Sequence, residues 1–203
     1  MTNQIDKIVN ETPALLPCRE VMEKIAQKIV KMHRAGGKLL LCGNGGSASD
    51  CEHISGELLK GFLSKRPLCE DELSGLDGEI RAKLQRGIGA VPLTSLSALS
   101  TAFANDVEPS LIFAQSVFAL GQKNDILLGL STSGNSKNVV AALKVAKAMG
   151  IFTVAMTGES GGEMKKIADL TLAVPETETY KVQQLHLPAY HAICAEVERL
   201  LFD

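Results

Sequence analysis

The sequence lacks an excess of charge of either sign. It contains 21 Lys and Arg residues against 23 Asp and Glu residues, which gives a formal net charge of −2. Proteins that hold nucleic acid or anionic membranes by charge present a basic surface, and this composition predicts none. We therefore expect neither nucleic acid nor membrane among its partners.

Long hydrophobic runs are missing as well. No stretch approaches the roughly 18 apolar residues of a transmembrane helix, and the N-terminal segment MTNQIDKIVNE is too polar for a signal peptide. The five cysteines are scattered and form no C-x-x-C pair. This pattern excludes a disulfide framework and a zinc site made of thiolates. Together these absences predict a cytoplasmic protein.

The sequence does contain enough apolar residues for one globular domain. Hydrophobic residues make up 45% of its 203 residues, so a single domain over residues 1–203 can bury a sizeable core. No internal repeat or low-complexity tract is present. The polar, charged segment from about 64 to 88 is a composition shift, and it predicts an exposed insertion with a short helix.

Short apolar runs alternate with helical patterns along the chain. Strands are predicted at 38–42, 89–93, 125–130, 151–157 and 169–174. Strands that are apolar throughout and separated by helices indicate a parallel sheet covered on both faces. Five of them predict a doubly wound α/β domain of the flavodoxin-like class, whose ligands bind beyond the carboxyl ends of the strands.

Helical spacing of apolar residues and breaks at Gly or Pro place the helices. The N-terminal segment, about residues 1–36, is predicted to be helical, with its main helix from Leu15 to Arg34. A turn is expected at Asn105 and Asp106. A further helix is predicted after residues 43–49 and ends at about Leu63. The other predicted helices cover 95–104, 110–120, 136–149, 163–168 and 179–202.

A hydroxyl-rich loop, STSGNS at residues 131–136, follows the third predicted strand and precedes a helix. Free N–H groups and the positive end of the helix dipole favour an anion at such a helix start. Capping of the helix is the simpler explanation, and Ser136 alone could provide it. One cap does not require Ser131, Thr132 and Ser133 as well, so the loop is predicted to bind phosphate.

A glycine-rich loop, GNGGSA at residues 43–48, follows the first predicted strand and fits a relaxed dinucleotide fingerprint. That fingerprint also needs an acid about 20 residues further on, at the end of the second strand. Glu70 and Asp71 lie at that distance but within the polar insertion, so a dinucleotide cofactor is not expected. A tight turn accounts for Gly43 and leaves Asn44 free to contact a ligand.

Two segments, CEHISGE and QQLHLPAYH, contain residue types that bind metals. His53 and Glu57 are spaced i, i+4 and therefore lie side by side on a helix. Gln183 and His191 are eight residues apart and can share a face, particularly since Pro188 can bend the helix between them. Two imidazoles, a carboxylate and an amide oxygen suit Zn²⁺. The alternatives are a solvated pair, a helix surface for Gln183 and a buried structural role for His191.

Several segments in the same order resemble one family. CGNGGSASDCEH, LSALSTAFANDVEP, LLGLSTSGNSKN, TGESGG and ETETYKVQQLHLPAYH are similar to the motifs of the phosphoheptose isomerases, which belong to the sugar-isomerase (SIS) class. The resemblance extends from about residue 15 to the C-terminus. The 64–88 segment is longer than in the enterobacterial members.

The resemblance implies roles for particular residues. Glu57 and His191 match the catalytic pair. The implied zinc ligands, for one Zn²⁺ per subunit site, are His53, Glu57, Gln183 and His191. The implied contacts to the sugar phosphate are Asn44, Gly45, Gly46, Glu57, Asn105, Asp106, Ser131, Thr132, Ser133, Ser136 and Gln183.

The resemblance also implies a reaction and an assembly. Members isomerise sedoheptulose 7-phosphate to D-glycero-D-manno-heptose 7-phosphate through an enediol, which supplies heptose precursors of lipopolysaccharide. They are homotetramers whose active sites combine residues of neighbouring subunits.

Two other functions are compatible with the sequence. A non-catalytic SIS module that binds a sugar phosphate or a replication-initiation partner could keep the serine-rich loop, but it would not need Glu57 and His191. An isomerase of a different phosphosugar is the second, since the polar insertion could change the rim of the pocket.

Overall fold

The computed structural model describes residues 3–203, in which five parallel strands form one sheet. The strand order is β2-β1-β3-β4-β5, which is the flavodoxin-like order. The prediction of fold class is confirmed. The strands are β1 Leu39–Cys42, β2 Ala90–Pro92, β3 Ile126–Leu130, β4 Phe152–Thr157 and β5 Leu170–Ala173.

Helices and short 3₁₀ turns connect the strands. The 3₁₀ turns cover Pro13–Cys18, Leu93–Ser95 and Pro109–Leu111. The helices are α1 Gln4–Glu11, α2 Arg19–Arg34, α3 Gly46–Leu59, α4 Gly78–Lys83, α5 Ser97–Asp106, α6 Ile112–Leu120, α7 Lys137–Ala148, α8 Gly162–Ile167 and α9 Thr179–Phe202. Met1 and Thr2, the start of the predicted helical segment 1–36, lie outside the described residues.

The alternation of side chains along the strands separates two hydrophobic cores. On β1, Leu39 and Leu41 face the core under α1, α2, α3 and α9, whereas Leu40 and Cys42 face the core under α6 and α7. Because both faces are covered, β1 and β3 are buried at every position. This double covering is the reason that the strands are apolar throughout rather than alternating.

Two predicted helix ends are wrong. Helix α2 begins at Arg19 rather than Leu15, because Pro17 has no N–H to donate and the preceding residues form a 3₁₀ turn. Helix α3 ends at Leu59 rather than near Leu63. The backbone N–H groups that would continue it, at residues 62–64, donate instead to the carboxylate of Glu198 at 2.7 to 3.1 Å.

Two further local predictions are corrected. Asn105 and Asp106 form the last turn of α5 rather than a turn after it, because the helical hydrogen bonds continue as far as the N–H of Val107. The insertion contains its short helix, α4, but it is not wholly exposed. Arg66 is buried, and its guanidinium lies 2.6 Å from the Glu198 carboxylate. That pairing draws the start of the insertion onto α9.

Among residues 3–203, no helix combines the length and apolar character needed to cross a lipid bilayer.

Candidate active site

A pocket of about 360 Å³ opens beyond the carboxyl ends of β1 and β3. In this strand order successive strands are added toward β2 on one side and from β3 toward β5 on the other, so the direction of winding switches between β1 and β3. Such a switch point is where doubly wound sheets bind ligands. The loops after the two strands therefore meet at one place. The pocket is lined by Asn44, Gly45, Gly46, Ser47, Leu130, Ser131, Thr132, Ser136, Thr179 and Gln183.

The serine loop, residues 131–136, is arranged around its hydroxyl groups. The Oγ atoms of Ser131 and Ser136 lie 2.8 Å apart. Ser136 is the N-cap residue of α7, yet its side chain makes no capping hydrogen bond. Simple helix capping therefore does not explain this serine. The Ser136 hydroxyl and the N–H groups at the start of α7 lie together, and both kinds of group can donate to an anion.

Gly134 gives the serine loop its tight path. Its φ of 68° lies in the left-handed region, and a Cβ there would approach the carbonyl oxygen of Gly161 to 2.2 Å. A residue with a side chain would move this loop away from the loop after β4.

The glycine loop, residues 43–46, is tied to the start of α7. The side-chain amides of Asn44 and Asn138 donate to each other's oxygen, both at 2.9 Å. Gly46 leaves room for the Gln183 amide, because a Cβ at this position would lie 2.5 Å from its Nε2 atom and displace it. The missing side chain thus lets Gln183 of α9 lie directly against the start of α3.

Further along the same helix pair, His53, Glu57 and His191 form a cluster whose ligand atoms all lie within 4.8 Å of one another. The Nε2 atom of His53 is 3.2 Å from Oε1 of Glu57 and 3.4 Å from Nε2 of His191. We call these three residues the His–Glu–His cluster. The i, i+4 spacing on α3 and the packing of α9 against it bring the three together.

Two of the three donor separations in the cluster suit a zinc site. Donor atoms around a tetrahedral Zn²⁺ at about 2.0–2.1 Å lie roughly 3.3–3.4 Å from each other, and the measured separations are 3.2 and 3.4 Å. Two imidazole nitrogens and a carboxylate oxygen are also the donor types that zinc prefers. The residues present therefore fit the metal.

Gln183, the fourth predicted ligand, lies two turns before His191 on α9 and lines the pocket. Its role as a ligand stays a prediction, as do the other residue roles implied by the resemblance.

Burial and charge shape the electrostatics of the cluster. Burial, together with the charge of His53, lowers the pKa of His191, and Glu57 opposes this effect. His191 is therefore neutral at neutral pH, which is the state that can accept a proton or bind a metal. The side chain of Glu57 is 16% exposed, and Nζ of Lys60 lies 3.5 Å from its second oxygen.

Two residues that the sequence reasoning did not select lie beside the cluster. The Tyr190 hydroxyl is 2.9 Å from Nδ1 of His53 and 3.2 Å from Oδ1 of Asp50. Burial first, and then Asp50, raise the pKa of Tyr190, so the phenol keeps its proton. Asp50 could have been found by its spacing, because it lies one turn before His53 on the same face of α3. Tyr190 gave no comparable signal.

Not every predicted contact residue reaches the pocket. Ser133 is exposed beside the lining, and its Oγ accepts a hydrogen bond from the N–H of Asn135. Asn105 and Asp106 are exposed on α5, where the amide of Asn105 donates to the Asp106 carboxylate at 2.8 Å. In a single chain, α5 contributes no side chain to this pocket.

A larger cleft of about 640 Å³ lies elsewhere, between the insertion and the ends of α2 and α9. His33, Arg34 and Arg86 line it, but it contains neither the serine loop nor the His–Glu–His cluster. Size alone therefore does not identify the site; its chemistry does.

The fold and the donor set together define a class. Residues 14–90 and 97–197 match two family models, each described as a SIS domain. A flavodoxin-like sheet with a hydroxyl-rich loop between β3 and α7, and two histidines and a glutamate nearby, is consistent with this class of sugar-isomerase domain.

Full-length relatives narrow the class to a family. The phosphoheptose isomerase of Akkermansia muciniphila is 36% identical, with 98% of this chain and 96% of the relative aligned. That of Burkholderia pseudomallei is 38% identical, with 100% and 94% aligned. The structure of phosphoheptose isomerase from Neisseria gonorrhoeae superposes with a TM-score of 0.76 at 30% identity, over 96% of this chain and 93% of that chain. This chain belongs to the phosphoheptose isomerase family.

Proposed function

We propose that the protein is an aldose–ketose isomerase that converts sedoheptulose 7-phosphate to D-glycero-D-manno-heptose 7-phosphate. The observation that carries this proposal is the position of the His–Glu–His cluster in a chain of the phosphoheptose isomerase family. The cluster lies on α3 and α9, the same two helices that border the pocket beside the serine loop. The proposed product is a precursor of heptose-containing lipopolysaccharide, and its proposed place of synthesis is the cytoplasm.

The spacing between pocket and cluster supports a seven-carbon substrate. Helix α3 joins the pocket, at Gly46, to the cluster, at His53. Gly46 and His53 are seven residues apart on α3, or about 10 Å along the helix axis. Eight single bonds join C1 of sedoheptulose 7-phosphate to its phosphorus, and an extended chain covers about 10 Å at ~3.8 Å per three bonds. A phosphate in the serine loop thus places C1 and C2 near the cluster.

The reaction requires one proton to move between C1 and C2 and another to move between the two oxygens. We assign the first transfer to Glu57, whose half-buried carboxylate faces the cluster. His191 is the partner acid or base, since its lowered pKa keeps the imidazole able to accept and return a proton near neutral pH. The intermediate between the two transfers is a cis-enediol.

We further propose one Zn²⁺ per site, held by His53, Glu57, Gln183 and His191. A bound zinc ion would polarise the substrate carbonyl and stabilise negative charge on its oxygen. A carboxylate that binds zinc is a weaker base, so Glu57 is proposed to serve as ligand and as base at different stages.

A homotetramer with shared sites is the proposed assembly. Helix α5 has no buried residue, and exposed apolar side chains lie beside it, with Val107 at 65% and Phe118 at 67% exposure. A neighbouring subunit that covered these side chains could take Asn105 and Asp106 into its own pocket. The native mass measured by light scattering should be about four times that of the 21.6 kDa chain, and an active monomer would contradict this.

The experiment that tests the function is a substrate panel. Purified protein would be assayed against C5, C6 and C7 ketose phosphates and against unphosphorylated sedoheptulose, with zinc content measured on the same sample. We expect the highest kcat/KM for sedoheptulose 7-phosphate and very poor turnover without the phosphate. Binding of sugar phosphate without turnover of any panel member would instead favour the non-catalytic SIS module.

A further inference from the structure

We propose that Asp50 and Tyr190 are positioning residues that fix the tautomer of His53 and thereby prepare its Nε2 atom to bind the metal. This inference rests on the proposed zinc site and extends it to two residues that are not metal ligands. It starts from a chain of two hydrogen bonds that joins Asp50, Tyr190 and His53.

The positions of the three side chains are set by helix packing. Asp50 and His53 lie one turn apart on α3, and Tyr190, on α9, is 2% exposed. Its ring packs edge-on against the imidazole of His53, with ring centroids 5.4 Å apart. A buried phenol needs a hydrogen-bond partner, and here its oxygen lies within hydrogen-bond distance of both the carboxylate and the imidazole.

The single proton of the phenol must point to Asp50. An ionised carboxylate can only accept, so the 3.2 Å contact between the Tyr190 oxygen and Oδ1 of Asp50 requires a proton between the two oxygens. A hydrogen bond to a charged acceptor is also the stronger choice for that proton. The phenol oxygen is then left as an acceptor toward His53.

His53 must consequently donate from Nδ1. The Nδ1 atom lies 2.9 Å from the phenol oxygen, so in the neutral ring the proton is on Nδ1 and the lone pair is on Nε2. That lone pair lies in the His–Glu–His cluster, 3.2 Å from a Glu57 oxygen and 3.4 Å from Nε2 of His191. The Glu57 carboxylate also only accepts, so the position between it and Nε2 must hold a cation, which is a proton in the empty site and the metal in the loaded one. Partners that orient metal-binding histidines commonly contribute 10- to 100-fold to metal affinity.

Tyr190→Phe is the direct test, because it removes the hydroxyl and keeps the ring. The chain offers a matched control, since Tyr180, its second tyrosine, is 56% exposed near the start of the same helix. Zinc affinity would be measured by competition with a chromophoric chelator. We expect Tyr190→Phe to weaken zinc binding by about 10- to 100-fold and Tyr180→Phe to leave it unchanged. Equal zinc affinity of Tyr190→Phe and wild type would overturn the proposal.

A second measurement reads the tautomer without any metal. The chain has four histidines, so the ring nitrogens of ¹⁵N-histidine-labelled apoprotein can be resolved by NMR at pH 8.5 and those of His53 identified with His53→Gln. We expect Nδ1 to carry a proton in the wild type, whether or not Nε2 shares one with Glu57, and a ring with Nδ1 unprotonated would overturn the proposal. Asp50→Ala leaves the phenol proton free to turn to Nδ1, so it should shift His53 toward the Nε2–H form and weaken zinc binding even if Tyr190→Phe does not fold.

The two measurements separate this inference from the proposed function. If the wild type binds no zinc at His53, the metal part of the proposed function fails, whereas the NMR tautomer still decides the role of Asp50 and Tyr190. If the wild type binds zinc and Tyr190→Phe binds it equally well, the metal site stands and the positioning role is wrong.

Discussion

The α3–α9 helix pair and helix α5 carry different parts of the candidate site and are built in opposite ways. The two helices of the pair pack through a buried hydrophobic core, which includes Ile54 and Leu58 from α3 and Ala189 and Ile193 from α9. Helix α5 has no buried residue. The polar groups of the helix pair converge within one chain, whereas those of α5 bond to each other at the surface.

This difference shows which site geometry one chain can set by itself. Close packing of a core fixes the side chains above it, so the His–Glu–His cluster is already assembled in the single subunit. Asn105 and Asp106 have no such support within the chain, and in the proposed tetramer a neighbouring subunit would supply it. Substitutions in the two regions test this contrast, and the largest effect is expected at Glu57.

Glu57→Gln tests the helix pair most severely. The substitution keeps the shape of the side chain and one potential ligand oxygen but removes the base, so turnover should fall by roughly 10²-fold or more while phosphosugar binding persists. Steady-state kinetics and calorimetric titration with sedoheptulose 7-phosphate would measure the two effects. Glu52→Gln, an exposed position on the same helix, is the control. Wild-type turnover by Glu57→Gln would remove Glu57 from the mechanism.

Ser136→Ala tests the pocket at the start of the helix pair. The hydroxyl lines the pocket and contacts Ser131, and losing one hydrogen bond to a charged phosphate costs ~1.5–3 kcal/mol. We expect KM to rise roughly 10- to 100-fold with a smaller change in kcat. Ser74→Ala, in the exposed insertion, should leave both constants unchanged. A pure kcat defect in Ser136→Ala would argue against phosphate binding here.

Asp106→Ala tests α5, with an expected loss of about tenfold in kcat/KM, the effect of one hydrogen bond worth ~1.5 kcal/mol. The decisive step is to mix Asp106→Ala subunits with Glu57→Gln subunits and allow them to exchange. If sites are shared, some sites in the hybrids receive both native residues, and activity should exceed the mean of the two variants. An unchanged mean would show that each site uses one chain only.

The smallest expected effect on the site concerns pH and His186, a buried residue of α9. Burial lowers the pKa of His186 to about 4. Its Nε2 is 3.2 Å from the carbonyl oxygen of Thr157, and its Nδ1 has no partner among the described residues.

The pKa of His186 in the unfolded chain, about 6.5, is higher than in the folded protein. Its contribution to stability is therefore complete above pH 6.5 and decreases as the pH falls toward 4, by about 2 kcal/mol at pH 5. His186→Gln keeps a donor for Thr157 but does not titrate, so its unfolding free energy should fall less between pH 7 and pH 5. An equal loss in both proteins would contradict this assignment.

The sheet could be predicted from the sequence because its signal is local. Each strand is a short apolar run bounded by turn residues, and such runs do not depend on distant partners. The pairing of His53 with Glu57 could be predicted for the same reason, since their spacing alone puts them on one helix face.

The remaining features depend on residues far apart in the chain. The end of α3 is set by Glu198, which is 134 to 136 residues from the N–H groups it accepts from. The contact between Tyr190 and Asp50 spans 140 residues. No local pattern encodes either contact. Helix α5 shows a second limit, because the role proposed for it would depend on another subunit.

The central claim is that this chain moves a proton between C1 and C2 of a heptose phosphate with Glu57 as the base. The most direct test is NMR of sedoheptulose 7-phosphate incubated with the purified, zinc-loaded protein in D₂O. The account predicts an aldose 7-phosphate, with deuterium at C2 to the extent that the proton held by Glu57 exchanges with D₂O before its return, formed by the wild type and at least ~10²-fold more slowly by Glu57→Gln. Unchanged ketose, with no deuterium exchange at C1 after prolonged incubation, would contradict it.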